Sequence, residues 1–363
     1  MIVVRILVGV LGGVVALGTM GSAVRTVVVP RGEQSFLANA TMLTMRRVFN
    51  GASRRFKDQH RAEAVKARFA PVTLMLFPFI WAVGVISGCA GLFWALGVQP
   101  VQEAIVLSGS SLTTLGFRTT GDLPTLIVEI GEGLVGLGLV ALLISFLPTI
   151  YSAFSRRENV VAKYHVRSTG YDEAAGPAAM LMRRHKIGSP EDMLHTWYEW
   201  EDWFVEVEES HTSFPILVYF RSPVPERSWI TSAGMVLDSA SLYCSALDVA
   251  TDPRAQLLIR TGTLSLRRIC DYFGFEYDPD PSPGDPVAID QAEFDQVYEL
   301  FKTAGMPVVA DQQQAWRDFA GWRVNYDRPL LSLATWIEAP EAPWSSDRWT
   351  TVRRPRVFHR HSR

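Results

Sequence analysis

The chain has 363 residues, 48% of them hydrophobic, and a formal net charge of −2. Its mean hydropathy is slightly positive, +0.11, and its three cysteines, Cys89, Cys244 and Cys270, indicate free thiols and not a disulfide framework. Charge is unevenly distributed: residues 1–157 hold fourteen basic and seven acidic residues, a net of +7, whereas residues 158–363 hold twenty-one and thirty, a net of −9. This predicts a basic membrane-proximal half followed by an acidic domain.

The first apolar stretch runs from Ile6 to about Val24 and predicts an N-terminal transmembrane helix within residues 1–29, because about 20 apolar residues span the hydrocarbon core. Gly9 and Gly13 form a small-xxx-small pair that favours packing against a neighbouring helix. A cleaved signal peptide ending near Gly21-Ser-Ala23 is the alternative, and it would invert the later spans.

Residues 30–70 form a predicted basic cytoplasmic linker. Ten Lys or Arg residues and three acids lie between Arg25 and Arg68. Since short basic loops remain in the cytoplasm, a multi-pass protein of the plasma membrane with a cytoplasmic C-terminus is expected. The same bases either act as a topology signal alone or also attract anionic lipids, at about 1 kcal/mol per base near the surface.

Two further apolar segments flank a short polar loop. Residues 71–98 carry no charge, and residues 126–154 carry only Glu129 and Glu132, both near the start. Between them, residues 108–122 are rich in hydroxyl groups and glycine. Irregular backbone at membrane depth is tolerated only where it is buried in protein or lines a water-filled path, so the layout indicates a cation pore.

The loop predicts a specific ion path. Pro100 suits the first turn of a short helix over about residues 101–113, whose C-terminal end carries a partial negative charge that favours a cation. Thr114, Leu115, Gly116 and Phe117 are expected to follow as an extended segment with inward carbonyls that replace the hydration shell of K⁺. Gly116 permits the backbone angles that this requires, and Phe117 is expected to pack behind the filter.

These residues support a resemblance. The run Thr113-Thr-Leu-Gly-Phe117 with Gly121-Asp122 resembles the selectivity filter of the potassium-channel superfamily. Gly136-Leu-Gly-Leu-Val-Ala-Leu-Leu-Ile-Ser-Phe-Leu-Pro148 resembles the inner helix of bacterial ion-channel proteins with one outer helix–pore loop–inner helix unit and a helical cytosolic tail. The resemblance covers about residues 70–220. It implies a homotetramer, because one loop supplies a quarter of a carbonyl ring, with K⁺ as the permeating ion and no cofactor.

The sequence departs from the family pattern after the filter. The family reads Thr-x-Gly-Tyr/Phe-Gly-Asp, but Arg118-Thr-Thr120 separates Phe117 from Gly121 here, and the resulting string is also similar to filters of related potassium transporters. A ring of four Arg118 side chains is typical of an anion pore. We expect Arg118 instead to turn towards Asp122 or Glu129, so that these three residues and Gly121 form the outer mouth.

The inner helix, residues 124–154, contains several points at which it could bend. Pro148 near its cytoplasmic end is a candidate gate, and Gly136 and Gly138 are candidates higher up. Glycine at these positions serves either bending or close helix packing.

The cytosolic region, residues 158–345, is predicted to be helical. Ser189-Pro-Glu-Asp192 has the composition of a helix start, and Met193, Trp197, Trp200, Phe204 and Val207 recur at three or four residues as one apolar face. Further helices are predicted over 229–249, from Asp252-Pro253 towards Phe273-Gly274, over 290–304 and over 312–337. Residues 278–286, with four prolines, predict a loop.

The complete expectation is an all-α membrane protein with a pore-loop transmembrane domain, residues 71–157, a helical cytosolic domain and a basic tail, residues 346–363. No catalytic motif, metal site or nucleic-acid partner is predicted; Glu209 and His211 lack partners at ligand spacing. The favoured function is a potassium-selective cation channel with a cytosolic regulatory or assembly domain whose ligand the sequence does not name. The alternatives are a non-conducting scaffold or sensor, and a channel of altered, anionic selectivity because of Arg118.

Overall fold

The computed structural model describes residues 2–29, 35–168, 173–188, 193–222, 224–250 and 252–348. Within these ranges the regular elements are helices, and an isolated bridge joins Leu247 and Val308. The α-helices are α1 Ile2–Val27, α2 Phe36–Ser53, α3 Gln59–Ala67, α4 Phe69–Leu96, α5 Val101–Leu112, α6 Leu123–Ser168, α7 Ala179–Ile187, α8 Leu194–Ser213, α9 Trp229–Ser245, α10 Pro253–Phe273, α11 Gln291–Thr303, α12 Gln312–Arg323 and α13 Asp327–Ile337. Short 3₁₀ turns cover Glu173–Ala178, Pro215–Tyr219 and Pro225–Arg227.

The chain forms two compact units. Unit 1 contains residues 1–57 and 68–152, and unit 2 contains residues 58–67 and 153–363. Three helical stretches are long and apolar enough to cross a membrane: Ile2–Val27, His60–Leu96 and Leu123–Ser168. The predicted all-helical fold with three apolar helices is therefore confirmed.

In unit 1, α1 packs along α4 through glycines. A Cβ atom added at Gly12 would lie 2.5 Å from the carbonyl oxygen of Gly88, and one added at Gly88 would lie 2.6 Å from the backbone nitrogen of Ala16. A Cβ atom added at Gly84 would likewise clash, in this case with the side chain of Thr19. Lipid supplies no hydrophobic drive between helices, so close backbone approach at small residues is the main source of such packing. Gly9 takes part, as predicted, but Gly12 approaches α4 more closely than Gly13 does.

Unit 2 has an aromatic core built around α8 and α9. The predicted apolar face of α8 is confirmed, since Trp197, Trp200 and Phe204 are at most 1% exposed. Trp203 joins them, and its ring centroid lies 4.6 Å from that of Trp200. The tryptophan cluster is therefore core packing. It follows from apolar residues at three- and four-residue spacing on one helix.

The helix ends of unit 2 follow local capping chemistry. Asp252 accepts a hydrogen bond from the backbone N–H of Arg254 at the start of α10, and Gly274 ends that helix with a φ of 71°. Asp290 and Glu293 form a reciprocal capping box at the start of α11. These contacts satisfy backbone groups that a helix terminus leaves unpaired, so the helix starts predicted at residues 252 and 290 are confirmed.

The structure adds detail to several of the expected bounds, and it differs at the end of the inner helix. The inner helix does not end near residue 154 but continues as α6 to Ser168, where Lys163 and Arg167 bind Glu199 of α8 at 2.5 and 2.9 Å. The linker predicted over residues 30–70 contains two helices, α2 and α3, and the stretch 312–337 divides into α12 and α13. The predicted helix start at residues 189–192 lies outside the described residues, as does nearly all of the basic tail, residues 349–363. The Pro-rich loop over 278–286 is confirmed.

A buried charged network joins α9, α12 and α13. Arg323 is fully buried, and its Nη1 donates to both carboxylate oxygens of Asp238. Its Nε lies 2.8 Å from Asp327 Oδ1, and its Nη2 donates to the Trp344 carbonyl at 2.7 Å. Tyr326 donates to Asp238 Oδ1 at 2.8 Å. Such a network is tolerated inside a protein because nearly every donor and acceptor in it is paired.

A second buried cation binds a histidine. Arg157 is 2% exposed, and its Nη1 lies 3.1 Å from His211 Nε2 and 2.9 Å from the Leu217 carbonyl oxygen. Arginine has no acceptor, so Nε2 must accept and the imidazole is neutral. Burial, with the positive charge of Arg157 beside it, lowers the pKa of His211 well below its usual range. His211 is therefore a structural residue.

This pairing predicts acid sensitivity of unit 2. Because the native pKa of His211 lies below the unfolded value of about 6.5, its contribution to stability is complete above that pH and is lost as the pH falls below it, by up to about 1.4 kcal/mol per pH unit. We expect His211→Gln to flatten this slope in unfolding curves followed by tryptophan fluorescence between pH 8 and 5. The exposed His195 supplies the control: His195→Gln should keep the slope, and an unchanged slope in His211→Gln would contradict the assignment.

Candidate functional site

The C-terminal end of the short helix α5 contacts α6 several turns beyond the start of α6. A Cβ atom added at Gly136 would overlap the carbonyl oxygen of Leu112, so the last turn of α5 touches α6 at that glycine. Gly136 is thirteen residues beyond Leu123, the first residue of α6, which is about 20 Å along the helix at 1.5 Å per residue. α5 itself has 12 residues, too few to cross a bilayer.

The segment after α5 is a turn and not the extended strand that the sequence predicted. Thr114 and Gly116 have positive φ angles of 57° and 66°. The N–H of Thr114 donates to the Ser111 carbonyl at 3.0 Å, and the N–H groups of Leu115 and Gly116 donate to the Ser110 carbonyl at 3.1 and 3.4 Å. The helix end is closed by its own following residues, as in other helices that stop with left-handed residues.

The carbonyl oxygens of this turn differ from its N–H groups in their hydrogen bonding. Within the described part of the chain, the carbonyl oxygens of residues 114–117 accept no hydrogen bond. The side chains of Leu115 and Phe117 are 70% and 64% exposed, so Phe117 does not pack behind the turn in a single chain. The surface of unit 1 at this turn therefore consists of apolar side chains and of carbonyl groups that accept no hydrogen bond within the described chain.

Residues 118–122 return along α6 and are held at three points. Ser110 Oγ accepts a hydrogen bond from the Arg118 N–H at 3.0 Å and donates to the Arg118 carbonyl at 3.2 Å. The backbone and hydroxyl of Thr120 both donate to Glu129 Oε1, at 3.0 and 2.6 Å. Asp122 accepts from the Thr125 hydroxyl at 3.0 Å. Gly121 lies between the last two contacts.

The predicted partners of Arg118 were wrong. Its guanidinium binds Glu103, in the first turn of α5, at 2.6 Å. Glu129 instead accepts a hydrogen bond from Thr120, and Asp122 accepts one from Thr125. The Arg118 side chain is 55% exposed. Glu103 is fifteen residues away in sequence, and only the fold-back of the chain after α5 makes this pair possible.

A buried polar cluster that the sequence did not predict anchors α5. Ser108 Oγ lies 2.5 Å from Glu132 Oε1 of α6 and 3.1 Å from the Ile86 carbonyl oxygen of α4. Ser108 and Glu132 are 0% and 3% exposed. A carboxyl group inside an apolar helix bundle is costly unless it is paired, so this contact fixes α5 between the two longer helices. The acidic residue in an apolar span was the available signal.

The candidate gate residues occupy different environments. α6 is continuous through Pro148. Gly136 touches α5, whereas a Cβ at Gly138 would meet nothing within 4 Å. Close packing therefore explains Gly136, and bending at Gly138 and Pro148 stays a prediction.

Gly136→Ala is expected to separate α5 from α6, because the added methyl group overlaps the Leu112 carbonyl. Overpacking of this kind costs about 1–3 kcal/mol, and we expect a lower unfolding midpoint in detergent with less assembled protein. Gly138→Ala is the matched control and should leave both unchanged. Equal behaviour of the two variants would contradict the packing role of Gly136.

Comparisons with known proteins do not identify a relative: no protein-family model, no curated protein and no solved structure matches the chain.

Proposed function

We propose that the chain is one subunit of a potassium-selective cation channel whose ion path is lined by the carbonyls of Thr114, Leu115, Gly116 and Phe117. The observation that carries the proposal is the division of roles in the turn after α5. The N–H groups of Thr114, Leu115 and Gly116 donate to carbonyls of α5, whereas the carbonyl oxygens of residues 114–117 accept no hydrogen bond within the described chain. Uncommitted carbonyls are the ligands with which a filter replaces the hydration shell of K⁺.

The depth of the turn supports this function. The end of α5 contacts α6 about 20 Å beyond the start of that helix, and Thr120 binds Glu129 only about 9 Å beyond it. The segment therefore enters and returns along one side of α6. In lipid, non-helical backbone is stable only against protein or water, and the exposed Leu115 and Phe117 favour burial against further copies. Four copies would complete a carbonyl ring.

The electrostatics of the loop favour a cation. The C-terminal end of α5, which carries a partial negative charge, precedes the turn directly. Arg118, the single base of residues 108–122, is paired with Glu103, so its positive charge is compensated. This pairing argues against the anion alternative.

The charge pattern supports the rest of the assembly. The ten bases between residues 25 and 68 favour a cytoplasmic C-terminus in the plasma membrane, with unit 2 as a cytosolic regulatory or assembly domain. Arg54 and Arg55 are exposed and suit anionic lipids, whereas Lys66 binds Glu63 and Glu338 within unit 2 at 3.2 and 3.3 Å.

Flux from purified protein in liposomes tests the function. We expect potassium gradients to drive flux, sodium gradients to drive less, and chloride gradients to drive none. Chloride flux alone would replace the proposal with the altered-selectivity alternative. Silence with all three ions would favour the non-conducting scaffold.

The Arg118–Glu103 pair makes a further prediction. Arg118→Gly should modestly raise potassium flux and keep its selectivity, because it leaves the negative charge of Glu103 unpaired. Glu103→Gln should lower potassium flux, because it leaves Arg118 uncompensated. The double variant should match the parent chain, because the pair that it removes has no net charge. The three flux rates measured at low ionic strength, where screening is weakest, decide this, and loss of a chloride flux in Arg118→Gly would contradict it.

A further inference from the structure

The face formed by α8 and α10 of unit 2 carries an unusual exposed apolar stripe. Five large apolar side chains on these two helices are between 38% and 55% exposed: Leu194, Tyr198, Val205, Leu257 and Leu264. On each helix they recur at spacings of four, seven or eleven residues, which places them on one side. Neither helix is among the three candidate membrane spans, so lipid does not account for the stripe.

The five residues form one continuous face because α8 and α10 pack side by side. The Arg254 guanidinium lies 4.2 Å from the Tyr198 ring centroid near one end of the contact. Arg268 binds Glu208 at 2.9 Å near the other end. A Cβ added at Gly262 would lie 3.0 Å from the Phe204 ring, so the helices are closest between these two pairs.

The two edges of this face have opposite charge. α8 contains six acidic residues and no lysine or arginine, whereas α10 contains four arginines and one acid. Ion pairs within the chain involve only some of these charged residues. Among the described residues, Glu201 and Asp202 on α8 and Arg260 on α10 form no ion pair.

We propose that this α8–α10 face binds a second copy of the chain about a two-fold axis. A two-fold rotation lays the acidic α8 of one copy over the basic α10 of the other, and the same contact is made twice. The apolar stripes then meet at the centre, with charged residues at the rim, as in other specific interfaces. An anionic membrane fits less well, because it would meet the acids of α8. The pairing does not depend on conduction.

The overlay makes definite neighbours, because α8 and α10 run in the same direction and the two-fold axis lies along them. It places Val205 of one copy near Leu264 of the other, and Glu201 near Arg260. Full-length chains with Val205→Cys and Leu264→Cys, each with a different tag, are co-expressed and treated in membranes with a short bis-maleimide. We expect covalent dimers that carry both tags, several-fold above the parent chain and above Ala304→Cys, an exposed control position just beyond the end of α11.

Charge reversal separates this contact from chance collision. Glu201→Arg or Arg260→Glu alone should reduce the crosslinked product several-fold, and the two together should restore it, because each reversed charge then meets its opposite in the partner. Tryptophan fluorescence of the buried cluster confirms folding, and Thr261→Cys replaces Leu264→Cys if the latter misfolds. Crosslinking at the control level would overturn the proposal. So would an unchanged yield after single reversal, or protection of Val205→Cys by anionic vesicles and not by a second copy.

Discussion

Gly116→Ala is expected to reduce potassium flux to the level of empty liposomes while the protein still folds and assembles. Gly116 has a φ of +66°, and a Cβ at this position would meet nothing within 4 Å. Alanine therefore meets no clash but must leave the left-handed region or remain there at a cost of about 1–2 kcal/mol. A rotation at this one residue redirects the adjoining carbonyls, and the proposed ion path requires all of them to point towards one axis.

The control for Gly116→Ala is the same substitution at a glycine whose φ angle is not positive. Gly131 on α6 also has open space around its Cβ position, so Gly131→Ala should preserve flux, assembly and thermal stability. Flux is measured as potassium-driven dye quenching in liposomes, and assembly by size-exclusion chromatography with light scattering. Undiminished flux in Gly116→Ala would remove the carbonyl path as the site of conduction.

Arg323→Met should destabilise unit 2 by about 3–5 kcal/mol, the cost of leaving a buried charge without its partner. The substitution strands Asp238, which is 1% exposed, and removes donors from Asp327 and the Trp344 carbonyl. Because a domain has only about 5–15 kcal/mol of stability in total, we expect a large fall in the urea midpoint followed by tryptophan fluorescence, with little soluble material at 37 °C.

Two variants separate the charge effect from the loss of side-chain volume. Arg317→Met lies on the same helix but is exposed, and it should change the midpoint by no more than a surface substitution does, about 0.5 kcal/mol. Asp238→Leu combined with Arg323→Met removes both charges and should recover part of the loss. A midpoint for Arg323→Met equal to that of Arg317→Met would show that the network adds nothing to stability.

Most of the helices could be predicted because their signals are local. The uncharged run before residue 98, the proline at position 100 and the aspartates at 252 and 290 each act within a few residues of themselves. The continuation of α6 to Ser168 was missed because the apolar pattern stops near Phe154. Polar residues with good helix propensity and pairs to Glu199 then carry the helix further.

The candidate site was only partly predictable. The sequence singled out Thr114–Phe117 and Arg118, whose residue types carry the chemistry. It did not reveal that Arg118 pairs with Glu103 or that Ser108 meets Glu132, because both contacts depend on how the chain folds back after α5. The extended conformation expected for residues 114–117 was wrong because left-handed angles at Thr114 and Gly116 fold this segment back onto the end of α5.

The glycine contact between α1 and α4 has a consequence for synthesis. α1 leaves the ribosome well before α4, and until α4 arrives the small residues Gly9, Gly12 and Ala16 have only lipid beside them. Acyl chains do not pack closely against this surface of small residues, which fits the backbone of another helix. We therefore expect α1 and α4 to associate as soon as α4 enters the bilayer. A chain that lost α1 during maturation would leave the backbone of α4 uncovered at Gly84 and Gly88.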